Sequence, residues 1–86
     1  MWYVYIISNI KTQNWYTGST KDLRKRILNH NVEKNKSTKH GVPWKLIYYE
    51  VCLNREDAQS RERYLKSGMG KRYLGNRLKF FFTKGF

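Results

Sequence analysis

Trp2-Tyr3-Val4-Tyr5-Ile6-Ile7 is the stretch that most constrains the chain. An unbroken run of β-branched and aromatic residues leaves neither side of an extended segment to water, so it reads as a strand covered on both faces. Alternation assigns Tyr3, Tyr5 and Ile7 to one face and Trp2, Val4 and Ile6 to the other. Such a strand needs a layer against each face. The 86 residues have to supply both layers from one small core, read as a single domain over residues 1–86.

The remaining segments fit that demand. Ser8 to Asn14 is polar and turn-like, and Trp15-Tyr16-Thr17, closed by Gly18, is the short second strand of an antiparallel hairpin. Thr20 or Asp22 can cap a helix running to about Asn31, with Leu23 and Ile27 as its apolar stripe. Arg26 and His30 fall on or beside that stripe, whereas Lys21, Arg24 and Lys25 point elsewhere. Residues 32–44 read as a long polar loop. Residues 45–52 are the richest strand candidate, read as central or well covered. Asn54, with Asp57 three residues on, starts a helix to about Lys66 that carries Ala58, Arg61, Glu62 and Leu65 on one side. Ser67-Gly68-Met69-Gly70 breaks it, and residues 71–82 form a last helix with Leu74, Leu78 and Phe81 as its stripe. The expected architecture is α+β: a three-stranded antiparallel sheet flanked by helices in the order β-β-α-β-α-α.

Charge narrows the partners. Lys and Arg number 18 against 6 Asp and Glu, a net charge of +12. Basic residues outnumber acids by 8 to 2 through Pro43 and by 10 to 4 beyond it, so the excess is +6 on each side and covers the whole body. Such a field attracts polyanions, nucleic acid first and an anionic membrane surface second. One cysteine, Cys52, closes no internal disulfide and builds no cysteine-rich zinc site, which suits a reducing cytoplasm. No apolar stretch is long enough to span a bilayer, and the start of the chain lacks the pattern of a signal peptide.

Tyr5 and Tyr16 on strands, Arg26 and His30 on the first helix and Glu62 on the second can be gathered on one side of the sheet. A phenol or imidazole can take a proton from water, a guanidinium can hold charge developing on phosphorus, and a carboxylate can anchor a divalent ion. That is a set suited to cleaving phosphodiesters. Each residue also has an ordinary explanation: tyrosine is a good strand former, an arginine stem covers apolar surface, histidine suits a helix C-terminus, and Glu62 can pair with Lys66 at i+4.

The order of these blocks resembles a known family. Tyr3-Val4-Tyr5, ten residues, then Tyr16-Thr17-Gly18-Ser19-Thr20 is similar to the signature of the GIY-YIG nucleases. Asp22-Leu23-x-x-Arg26-Ile27-x-x-His30-Asn31 resembles their arginine- and histidine-bearing helix. Glu50, followed by Ala58-x-x-Arg61-Glu62-x-x-Leu65-Lys66-Ser67-Gly68, resembles the segment with their metal-binding glutamate. The nearest likeness is to small stand-alone members from bacteria and phages, labelled by analogy with the incision subunit of excision repair. Tyr3 stands where the signature has its first glycine, Thr17 replaces the middle residue of the second triplet, and Ser19 stands where some relatives have lysine.

The resemblance implies a divalent-metal-dependent DNA endonuclease of the cytoplasm, with DNA repair among its settings. Its binding would be led by the DNA backbone, with little sequence preference and selectivity for single-stranded or branched DNA, and it would work as a monomer or weak dimer. Tyr5 and Tyr16 would be the paired tyrosines, with Tyr16 activating water and Tyr5 orienting it. Gly18 would form the tight turn where backbone approaches phosphate. Arg26 would stabilise the transition state, and His30 would assist proton transfer or phosphate binding. Glu62 would be the sole protein ligand of one Mg²⁺ or Mn²⁺. Lys39, His40, Lys66, Lys71, Arg72 and Asn76 join Gly18 as candidate nucleic-acid contacts. The alternative is a binding module that keeps this scaffold without turnover.

Overall fold

The computed structural model of the chain describes residues 1–32 and 43–84. Strands β1 (Trp2–Asn9), β2 (Trp15–Thr20) and β3 (Trp44–Cys52) and helices α1 (Leu23–Asn31), α2 (Arg55–Lys66), α3 (Gly68–Arg77) and α4 (Lys79–Lys84) follow the order β-β-α-β-α-α-α. The α+β class and the three-stranded antiparallel sheet are as expected. Residues 33–42, with Lys39 and His40, lie outside the described residues.

β1 is the middle strand, in the order β2-β1-β3. The expectation that residues 45–52 are central is therefore corrected. Val4 to Asn9 are all buried along β1, while β3 leaves Lys45, Tyr49 and Val51 exposed, the profile of an edge strand. The two faces of β1 divide the core as alternation requires. Val4 and Ile6 pack with Ala58, Leu65 and Leu74 of α2 and α3, whereas Tyr5 and Ile7 pack with Trp44, Leu23 and Ile27 under α1. A bulge between Ile6 and Ile7 sets Tyr48 opposite Ile6 but Leu46 opposite Ile7, so Ile47 and Tyr48 both join the α2 side.

Local chemistry ends each element. Asn9 Oδ1 accepts the Lys11 and Thr12 amides at 2.9 and 2.8 Å, and Gln13 takes a positive φ of 64°, which turns β1 into β2. Of the two expected caps for α1 it is Asp22 that accepts from the Lys25 amide, at 3.0 Å. Asn31 then grips the start of β3: its Oδ1 accepts the Trp44 amide at 2.6 Å and its Nδ2 donates to the Trp44 carbonyl at 3.0 Å. Asn54 caps α2, with Glu56 and Asp57 in the first turn and Arg63 and Lys66 in the last, in line with the helix dipole.

The break at residues 67–70 is one residue wide. Ser67 ends α2 and at once caps α3, its Oγ accepting from the Gly70 amide at 3.2 Å. A Cβ at Gly70 would run into the Tyr64 carbonyl, so the glycine permits a tight corner where an interrupted helix was expected. The expected last helix is likewise split, α3 ending at Arg77 with Leu78 as its C-cap before α4 begins.

α2 is tied to β3 by Glu50. Arg61 Nε and Nη2 donate to its two carboxylate oxygens at 2.8 and 2.9 Å, and the Tyr48 hydroxyl donates to Oε2 at 2.7 Å. The guanidinium also lies 4.9 and 4.8 Å from the ring centroids of Tyr64 and Tyr73. Burial alone would raise the Glu50 pKa, but the hydrogen bonds from Arg61 and Tyr48 and the Arg61 charge outweigh it and hold it below the usual 4.5. A carboxylate depressed on folding contributes stability that is complete above its ordinary pKa and is lost as pH falls through the folded value. Glu50→Gln should cost about 2–3 kcal/mol at neutral pH, or roughly 10 °C or more in Tm. The gap between wild type and variant should shrink as pH drops from about 6 to about 3 in thermal melts.

Candidate functional site

Tyr5 projects from the middle strand toward β2, and its phenol lies across Gly18, its partner in the register. A Cβ on Gly18 would stand 2.6 Å from the Tyr5 hydroxyl oxygen and 2.8 Å from Cζ. Gly18 is thus a residue inside β2, which continues to Thr20, and the expected tight turn is corrected: the missing side chain makes room for a phenol.

On this face the phenol meets α1. The Tyr5 hydroxyl and His30 Nε2 are 2.8 Å apart, and the Arg26 charge lies close enough to pull the Tyr5 pKa down. His30 is fully buried (0% exposed), and burial together with the Arg26 charge lowers its pKa. The tautomer of the imidazole sets which partner donates in the Tyr5–His30 hydrogen bond. Burial first, then Tyr16, pushes the Tyr5 phenol well above its ordinary pKa, against the opposing pull of Arg26. Tyr5 therefore keeps its proton. Tyr16 faces the same side, half-buried, its ring 4.9 Å from His30 and 6.5 Å from Tyr5.

Glu62 arrives from the other side. Its helix covers the Val4 and Ile6 face, and Ser19, opposite Val4 in the register, donates its hydroxyl to Glu62 Oε1 at 2.7 Å. Oε2 pairs with Lys66 Nζ at 2.8 Å, the ordinary i+4 contact, yet the side chain is only 21% exposed. The expectation of one shared face is corrected here. The phenols and the acid belong to opposite layers and meet around the edge strand, because Gly18 and Ser19 are neighbours whose side-chain positions alternate. Their proximity registers electrostatically, since the Glu62 charge contributes to raising the Tyr5 pKa.

Among the described residues no cluster of three or more His, Cys, Asp or Glu side chains is present, and Glu62 is the carboxylate that reaches this edge, through Ser19. The Lys66 ammonium against Oε2 shows that the position already accommodates positive charge. One anionic oxygen with the remaining positions left to water and phosphate suits a hard ion such as Mg²⁺. Lys71 and Arg72 are exposed on α3. Arg72 and Asn76 line a separate hollow with Tyr64, Met69 and Tyr73. Ser19 was legible only as a departure from the family pattern; its position beside Glu62 depends on how α2 lies on the sheet.

Gly18→Ala should displace Tyr5 from His30 and lower stability by about 1–3 kcal/mol through overpacking. Tyr5→Phe combined with it should recover part of that loss in denaturant melts, because the first atom a Cβ meets is the hydroxyl oxygen.

A family model described as the GIY-YIG catalytic domain matches residues 1–79. The UPF0213 protein CPE1444 of Clostridium perfringens (strain 13 / Type A) is 46% identical over 65 residues, covering 74% of this chain and 69% of that protein. The UPF0213 protein SpyM3_1077 of Streptococcus pyogenes serotype M3 is 40% identical over 65 residues, covering 74% and 70% respectively. No solved structure matches the chain. With its two tyrosines, its arginine and histidine helix and its glutamate inside the matched span, the chain belongs to the GIY-YIG family.

Proposed function

We propose that the protein is a divalent-metal-dependent endonuclease that hydrolyses DNA phosphodiester bonds at the β2 edge, within the nuclease-type function of its family. The observation that carries this reading is the meeting of the Tyr5–His30–Arg26 group, Tyr16 and Glu62 around Gly18 and Ser19. No helix among the described residues is long and apolar enough to cross a membrane. A cytoplasmic setting suits the free thiol of Cys52, and the chain would act as a monomer or weak dimer.

The roles follow from access. Tyr16 is the phenol that water can reach; as the phenolate it takes the proton of the attacking water while the water oxygen bonds to phosphorus and the P–O bond to the leaving oxygen breaks. Tyr5, buried and protonated, is held by His30 beside the Arg26 charge, and His30 acts inside the protein and makes no contact with phosphate. Arg26 opposes the negative charge that develops on phosphorus. A divalent ion on Glu62 would supply Lewis-acid stabilisation of that same charge. Lys66 is placed to turn from Glu62 to a phosphate oxygen. A net charge of +12 supports backbone-led binding with little sequence preference and a steep salt dependence.

Tyr16→Phe and Glu62→Gln should each reduce cleavage of labelled DNA in Mg²⁺ by about 100-fold or more, with affinity changed by no more than about threefold. EDTA should abolish cleavage by wild type. Full activity in purified Glu62→Gln overturns the mechanism, and tight binding with no product in Mg²⁺ or Mn²⁺ makes the protein a binding module.

A further inference from the structure

On the flank of α1 away from Arg26 and His30, a cleft of about 850 Å³ opens between the helix and β3. Tyr3, Tyr49 and Leu46 from the sheet and Leu28, Lys21 and Arg24 from the helix side line it. Its apolar surface lies open: Tyr49 is 51% and Leu28 61% exposed. The Tyr3 and Tyr49 rings sit 6.0 Å apart at 57°, so they do not stack on each other and Tyr49 keeps a free face. Asp22, the acid at the rim, directs its carboxylate at the Lys25 amide as the helix cap, and Arg24 brings positive charge to the cleft, while the Lys21 ammonium rests over the Trp2 ring.

We propose that this cleft binds unpaired bases of a nucleic-acid strand, with Tyr49 as the stacking platform and Arg24 against the adjoining phosphates. The identity of the ligand rests on the nuclease reading above. Aromatic faces with cations beside them are how strands are held without sequence preference. The volume takes one or two planar bases, and a base can offer its face to Tyr49 only when its neighbours in a duplex do not cover it. Leu23 and Ile27 form the shared wall: they line the cleft and pack against Tyr5 and Ile7. Arg26 and His30 stand on the next flank of the same helix at helical spacing. A strand rounding the start of α1 thus meets the cleft on one side and the β2 edge on the other. Selectivity for unpaired DNA then comes from the cleft, and the chemistry from the edge.

The test uses the full chain carrying Glu62→Gln, so that binding is read without cleavage. Anisotropy at fixed salt compares a labelled thymidine oligonucleotide with a hairpin duplex. Adding Tyr49→Ala should weaken single-strand binding roughly 5- to 150-fold and change duplex binding less than about twofold, with Tyr49→Phe restoring the single-strand affinity. Tyr49 is an exposed edge residue, and circular dichroism melts confirm that each variant is folded. Equal losses on both DNAs, or no loss on either, overturn the proposal. So does a concentration-dependent dimer that Tyr49→Ala dissolves in sedimentation, which would make the cleft a contact between copies. Selective loss of single-strand binding in a protein whose wild type cuts nothing would uphold the cleft and sink the nuclease reading. Cleavage by wild type with an indifferent Tyr49→Ala would do the reverse.

Discussion

The phenol of Tyr5 resting on the bare backbone of Gly18 is the contact on which the site depends. A large side chain from the middle strand reaches over an edge strand only where that strand offers no Cβ. The reach brings its hydroxyl to α1, where it hydrogen-bonds His30 and meets the Arg26 charge. Strand alternation sends the next side chain, Ser19, to the opposite face and so to Glu62. One missing methyl group and that alternation thus connect two layers of the fold at a single edge.

The acid is held by a different part of the molecule. Arg61 and Glu62 are neighbours on α2, and the bidentate pair from Arg61 to Glu50 fixes the rotation of that helix against β3. With Arg61 turned toward β3, Glu62 is carried round toward β2. Tyr48, Tyr64 and Tyr73 enclose the ion pair, so a position of the family pattern with no direct chemistry serves to aim one that has it. A partly buried pair of this kind contributes specificity of orientation more surely than stability.

Much of the fold was legible because its signals are local. The apolar run of β1 announced a strand covered on both faces, the residues that cap α1 and α2 stand in the chain as Asp22 and Asn54, and Ala58, Arg61, Glu62 and Leu65 do share a helix face. The residue types of the site were legible through their order and spacing. What misled was chemistry that looks the same in two settings. Gly18 after a short aromatic strand reads as a turn, and only the phenol above it shows why it is glycine. Residues 45–52 also read as a strand rich in β-branched and aromatic residues, yet exposed Lys45, Tyr49 and Val51 make β3 an edge. Ser67 to Gly70 reads as a helix break, where a serine in fact closes one helix and opens the next.

By itself the sequence determined the elements, the faces of each and the groups available for chemistry, because periodicity and capping act over a few residues. Tertiary structure alone decided that β1 lies in the middle, that the acid and the phenols come from opposite layers, and that they meet at the β2 edge. Those outcomes depend on pairings between residues as far apart as Ser19 and Glu62 or Tyr5 and His30. A repeat of two or 3.6 residues says which way a side chain faces, but not what the rest of the chain will bring to face it.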